Sequence, residues 1–253
     1  MFLSRKEPKR FAPQKTTHDL SEQLVTVVDP AGASSEAYRT LRASLLYGLV
    51  DSPHKIIVIA GSGVGEGKTT ACANLGVVLS QAGSSTLVMD GDLRAPKLHK
   101  LFNLPNLFGT TSAVGGEGDL REICHEPMPR LKVATAGPVP PNPTELLSAE
   151  RFAEVLGQAR REFDYVLVDT PPIQLVSDAL DIAAHSDGVL FVIDSQNTSK
   201  ASVRQSISRL DAVGARVLGT VMTKAKAPLW RHDDRGHAAY SYRGKKDFRL
   251  PYR

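Results

Sequence analysis

The chain reads as an α/β domain built on a doubly wound, mainly parallel sheet flanked by helices. Three observations predict this. Short β-branched runs at 55–60, 86–90, 131–135, 165–169, 188–194 and 216–222 alternate with stretches of helical periodicity. Runs such as "KIIVIA" and "GVLFVI" are apolar at successive positions rather than at every second one, the pattern of strands covered on both faces. The helical stretches between them supply the right-handed crossovers that parallel strands need. At 253 residues and 42% hydrophobic side chains, the chain can bury the core of such a domain.

Taken in order, residues 1–32 are polar, basic and proline-bearing, with one strand-like run, "LVTVV", and read as an N-terminal tail or strap. Over 33–50, serine cap candidates precede Ala37, Leu41, Leu45 and Leu49 at helical spacing, which predicts an amphipathic helix. Glu36, Arg39 and Arg42 fall within an arc of roughly 120° beside that apolar stripe, at about 100° per residue. From 55 onward the alternation of strands and helices begins. The first run enters a glycine-rich loop and a helix, and the second and fourth both end on aspartate. Beyond Lys224 the signals stop: 226–253 is a basic segment broken by Gly and Pro that holds Tyr240, Tyr242 and Tyr252, and it reads as a flexible tail. The expected organisation is a single domain over 33–225 between two tails, with no internal repeat.

The apolar runs fall far short of the roughly 20 residues that span a bilayer, and the N-terminus lacks the apolar stretch and cleavage site of a secretory signal. The expectation is therefore a cytoplasmic protein. Cys72 and Cys124 stand far apart, without further cysteines or histidines at ligand spacing, so neither a disulfide framework nor a zinc site is expected. Any metal would be held by oxygen. The net charge of +4 arises largely at the ends, in "RKEPKR" and "RGKKDFRLPYR", which points to an anionic neighbour such as membrane headgroups or an acidic partner. No helix-turn-helix, zinc finger or aromatic platform supports binding to nucleic acid.

The chemistry concentrates in "GSGVGEGKTT", residues 61–70, between a strand and a helix. Ser62, Gly63, Val64, Gly65, Glu66 and Gly67 would wrap phosphate in backbone N–H groups, which glycines permit by their conformational freedom. The helix that follows aims its free amides at the same anion. Lys68 would neutralise β- and γ-phosphate oxygens of ATP and Thr69 would offer a hydroxyl to Mg²⁺, with Thr70 in the same helical turn. The usual G-x-x-x-x-G-K-[ST] spacing would put a glycine at Ser62. Asp90 and Asp92 of "LVMDGDLR" and Asp169 of "YVLVDTPP" each follow an apolar strand. Three carboxylates so placed repel one another unless a cation lies between them; Mg²⁺ takes one or two and leaves another to accept a proton.

In this order the motifs resemble those of the bacterial tyrosine kinases of capsule and exopolysaccharide synthesis, over roughly residues 35–222. "GSGVGEGKTT" is similar to that family's variant Walker A, which does not require glycine at Ser62; "LVMDGDLR" resembles its Walker A′ and "YVLVDTPP" its Walker B. "AGPVPPNPTELL" and "VSDAL" resemble its connecting segments. The resemblance implies a P-loop NTPase-like fold and a Mg-ATP-dependent tyrosine autokinase. It places Thr69, Asp90 and Asp169 at the metal, Lys68 at the phosphates and Asp92 as base for the tyrosine hydroxyl. Glu36, Arg39 and Arg42 match its E-x-x-R-x-x-R segment, which implies docking in a ring-like homo-oligomer. Tyr240, Tyr242 and Tyr252 match its C-terminal phosphoacceptors, modified in trans. The resemblance further implies a separate membrane activator of the polysaccharide co-polymerase type, which would hold the chain at the inner face of the cell membrane, where its basic ends meet anionic lipid. Two positions depart from the family: Val64 replaces a frequent proline, and Thr223 replaces an asparagine that meets adenine. The alternatives are a positioning or partition ATPase, a class that usually carries a lysine at the position of Gly63, and a nucleotide-gated scaffold without catalysis.

Overall fold

The structure, a computed structural model, describes residues 20–48, 55–148 and 150–225. Two helices come first, α1 (Val25–Val28) and α2 (Ala33–Gly48). Strand β1 (Ile56–Gly61) then delivers the glycine loop to α3 (Lys68–Gln81), which crosses back to β2 (Thr86–Asp90). Short elements follow: α4 (Leu98–Leu101), α5 (Thr110–Gly115), α6 (Leu120–Ile123), β3 (Cys124–Met128) and β4 (Leu131–Ala134). Helices α7 (Pro143–Ser148) and α8 (Glu150–Glu162) lead to β5 (Tyr165–Asp169), α9 (Asp178–Ala184), β6 (Gly188–Asp194), α10 (Lys200–Ala212) and β7 (Val217–Thr223).

The strands lie in the order β3-β4-β2-β5-β1-β6-β7, and every neighbouring pair is parallel except β3 with β4. Each of the six runs expected from the sequence is a strand, and the sheet is doubly wound. Strand β3 is the addition. Its sequence, "CHEPM", has no apolar run and contains a proline, and it pairs along the sheet edge with a register shift between His125 and Met128. A proline is tolerated there because an edge strand leaves half of its amides unpaired.

The side chains of β1 divide between two cores. Ile56, Val58 and Ala60 pack with Phe152, Leu156, Ile182 and Leu210 of α8, α9 and α10. Ile57 and Ile59 pack on the other face with Leu75, Val78 and Leu79 of α3. This two-sided burial explains the uninterrupted apolar run, since both faces of the strand need apolar side chains.

Two expectations at the N-terminal end are corrected. The strand-like run in the strap is the one-turn helix α1, in which Thr26 is fully buried, as is the preceding Leu24. Thr26 donates through its N–H and hydroxyl to Asn74 Oδ1 of α3, at 3.1 and 2.8 Å, and Asn74 Nδ2 donates back to the Gln23 carbonyl. These tertiary bonds override the β preference of "VTVV". In α2 the inward stripe is Tyr38, Leu41 and Leu45, whereas Ala37 is exposed. Leu49 lies outside the described residues.

Candidate active site

The carboxyl ends of β1, β2, β5 and β7 meet around a cleft of about 580 Å³. Its floor is the glycine loop and the first turn of α3. Gly65 and Gly67 have φ of 76° and 93°, a left-handed backbone that a side chain would strain. The amides of residues 63–67 make no hydrogen bond to protein among the described residues. Unpaired donors of this kind are costly unless an anion or water takes them. Lys68 is 7% exposed and its ammonium turns back onto the loop, donating to the Gly63 carbonyl at 2.6 Å. Burial lowers its pKa, while Asp169, Glu66 and Asp92 pull the other way.

Strands β2 and β5 are in register, with Asp90 directly opposite Asp169 at their tips. Both carboxylates are buried, and Gly91 is the residue that lets the strands close: a Cβ there would lie 2.7 Å from the Asp169 carbonyl. The two acids differ in their partners. Each oxygen of Asp90 accepts a backbone amide, from Asp92 and from Leu98, both at 3.1 Å, so this carboxylate organises the loop after β2. Burial raises its pKa well above the ordinary range, with the Asp169 charge adding to the effect. Neither buried oxygen of Asp169 meets a donor in hydrogen-bonding geometry, although the Thr69 hydroxyl and the Thr170 amide lie near enough to favour its charge. Burial pushes its pKa up to about 7 against the pull of the neighbouring Thr69 hydroxyl and the Lys68 ammonium. A buried carboxylate without a donor in hydrogen-bonding geometry, beside a hydroxyl and a cradle of free amides, fits a hard cation that carries phosphate and water. Among the described residues no three His, Cys, Asp or Glu side chains form a metal-binding group.

Asp92 stands on the cleft wall, its Oδ1 accepting the amides of Arg94 and Ala95 at 3.3 and 3.0 Å. That tight turn fixes the carboxylate on the cleft wall, near enough for its charge to act on Lys68. Arg94 is itself anchored by a bidentate pair with the buried Asp178 at 2.8 and 3.1 Å.

Other expected residues play different parts. Thr70 donates to Gln23 Oε1, which ties the strap to the phosphate helix. Ser62 is buried and accepts a hydrogen bond from Ser206 of α10, and Glu66 is buried beneath the loop with Oε1 held by Thr198. Val64 is 69% exposed at the rim. The Thr223 hydroxyl donates to the Glu66 carbonyl at 2.6 Å, so it braces the loop rather than facing open space.

Glu36, Arg39 and Arg42 do not form one outward stripe. Glu36 and Arg39 pair at 2.9 Å on the surface. Arg42 turns inward, donating to the Val78 carbonyl of α3. Tyr240, Tyr242 and Tyr252 lie outside the described residues. Gln23, Lys97, Lys100 and Lys224 also line the cleft. The rule that loops at strand carboxyl ends form the crevice could have found Lys224, which directly follows β7, but nothing local singles out Gln23.

Fold and cleft together define a P-loop nucleotide-binding protein, and the model for the CobQ/CobB/MinD/ParA nucleotide binding domain matches residues 57–231. The tyrosine-protein kinase YwqD of Bacillus subtilis is 34% identical over 229 residues, which is 90% of this chain and 94% of that one. The kinase domain of the Escherichia coli tyrosine kinase ETK superimposes with a TM-score of 0.77 at 29% identity, over 94% of this chain and 89% of the other. The chimerical protein CapA2B2 gives 0.76 at 34% identity, covering 83% and 90%. The chain belongs to the bacterial tyrosine-protein kinases.

Proposed function

We propose that the protein transfers the γ-phosphoryl group of Mg-ATP to tyrosine, and that its own Tyr240, Tyr242 and Tyr252 are acceptors, presented by a neighbouring subunit. The observation that carries this reading is the buried Asp169 carboxylate, which has no donor in hydrogen-bonding geometry on either oxygen although Thr69, Thr170 and Lys68 lie beside it. Asp169 and Thr69 would hold the metal, with Asp90 supporting them through the loop after β2. A divalent ion held there would supply positive charge against the charge that develops on the transferring phosphoryl group. Lys68 would leave the Gly63 carbonyl for the β- and γ-phosphates, and the free amides of residues 63–67 would hold the rest of the chain of phosphates. Asp92, on the cleft wall, would accept the tyrosine proton, since the turn that fixes its Oδ1 leaves Oδ2 without a protein partner among the described residues.

Homo-oligomerisation through the surface pair of Glu36 and Arg39 would bring a neighbour's tail to this cleft. A separate membrane activator of the polysaccharide co-polymerase type and a role in capsule or exopolysaccharide export complete the proposal, with Mg-ATP turnover at the inner face of the membrane. Among the described residues no helix is long and apolar enough to cross a membrane. Intact mass measured before and after incubation with ATP and Mg²⁺ tests the chemistry. Additions of 80 Da that vanish in Lys68→Met and map to the three tail tyrosines are expected, whereas release of phosphate with no added mass would favour the positioning-ATPase alternative.

A further inference from the structure

The carbonyls of the glycine loop are held from behind. A trans peptide points its C=O and its N–H in opposite directions, so a loop can aim amides at phosphate only if the matching carbonyls face away. Two consecutive peptides of this loop have that orientation fixed by the end of β7. Lys224 Nζ donates to the Gly65 carbonyl at 2.9 Å and the Thr223 hydroxyl donates to the Glu66 carbonyl at 2.6 Å. Lys224 adopts a left-handed backbone, φ 53°, which turns it back toward the loop. Its ammonium is itself anchored on the buried Asp194 at 2.7 Å, and Asp194 is held in turn by the Gln196 amide and the Asn197 side chain. From below, Thr198 fixes the Glu66 carboxylate at 2.8 Å.

We infer that Lys224 and Thr223 are positioning residues for nucleotide: they orient the Gly65 and Glu66 peptides so that the amides of Glu66 and Gly67 face the phosphates. The inference rests on the nucleotide reading of the cleft. It assigns Lys224 a task distinct from that of Lys68, because Lys224 acts on the loop and not on the terminal phosphate. A group that touched the γ-phosphate would favour ATP over ADP. A group that shapes the cradle supports both equally, since both nucleotides leave their β-phosphate in it.

The test is calorimetric titration of the full-length protein with Mg-ATP and with Mg-ADP, for the native sequence, Lys224→Met, Lys224→Arg and Thr223→Val. Lys224→Met should weaken both nucleotides by the same factor, roughly tenfold, the lower end for a hydrogen bond from a charged donor. The KM for ATP should rise in parallel while kcat at saturation changes little. Lys224→Arg should restore most of the affinity. Thr223→Val should weaken both nucleotides by roughly fivefold; it leaves the pair with Asp194 intact, so a folding defect in Lys224→Met, read from its melting temperature, does not decide the matter. Unchanged affinity in both Met and Val variants would overturn the inference, as would a loss confined to ATP. Failure of the native protein to bind either nucleotide would instead sink the nucleotide reading itself, and this inference with it.

Discussion

Asp169 shows how the site sets stability against chemistry at the scale of one residue. Ionised and without a hydrogen bond, a buried carboxylate costs free energy, and its raised pKa of about 7 is the expression of that cost. Asp169→Asn keeps the shape and removes the charge. The apo melting temperature should therefore hold or rise, while tyrosine labelling falls by at least about a hundredfold, the scale of losing one electrostatic stabiliser of a transition state. Thermal melts and mass labelling on the same preparation check both halves. Residues of this kind were legible because a motif is local: Lys68, Thr69 and the three aspartates sit within short runs that follow strands. Glu66 was legible only as a loop residue. Its partners Thr198 and Thr223 lie 132 and 157 positions away, and no spacing rule connects them.

At the scale of elements, the strap is held by Asn74, which makes four hydrogen bonds: two accepted from Thr26 and two donated, to the carbonyls of Gln23 and Thr70. Asn74→Ala would strand the Thr26 amide and hydroxyl in a dry interface, and should cost about 3 kcal/mol of folding stability by urea denaturation, since each orphaned buried group costs about 1–3 kcal/mol. Helix α2 yields a separable pair of variants. Arg39 pairs with Glu36 and donates to the Pro30 carbonyl, whereas Arg42 is bonded to α3, so in the homo-oligomer proposed above Arg39→Ala should lower the mass seen by light scattering with a smaller drop in melting temperature than Arg42→Ala. Most strands legible in the sequence are largely buried on both faces; the edge strand β7, none of whose residues is fully buried, was legible through its apolar, β-branched run. Strand β3 was not, because an edge strand with one covered face and a proline carries no apolar run; α1 was not, because its helical form is imposed by Asn74 from another element.

At the scale of the molecule, Asp178 and the half-buried Asp187 tie elements far apart in sequence, Asp178 to the loop after β2 through Arg94 and Asp187 to α8 through Arg160 and to the start of β1. Burial works against the ionised forms of Asp178 and Asp187, but hydrogen bonds from Arg94 with Thr144, and from Arg160, outweigh it and lower both pKa values. A lowered folded pKa means these groups stabilise the fold fully above the unfolded aspartate value of about 3.9, and the contribution is lost as pH falls from there through the lower folded values. Asp178→Asn should accordingly flatten the acid limb of a plot of melting temperature against pH, leaving the curve above pH 5 parallel to the native one.

The docked strap also gives the molecule a mechanical port. Ser21 donates its amide to the Leu101 carbonyl at the end of α4, and Gln23, two residues on, meets Thr70 in the first turn of α3 and forms part of the cleft wall. A pull arriving at Ser21 would pass to the first turn of α3 through Gln23, with only one residue between the two contacts. Whatever is tied to that end of the polypeptide is wired into the nucleotide's grip.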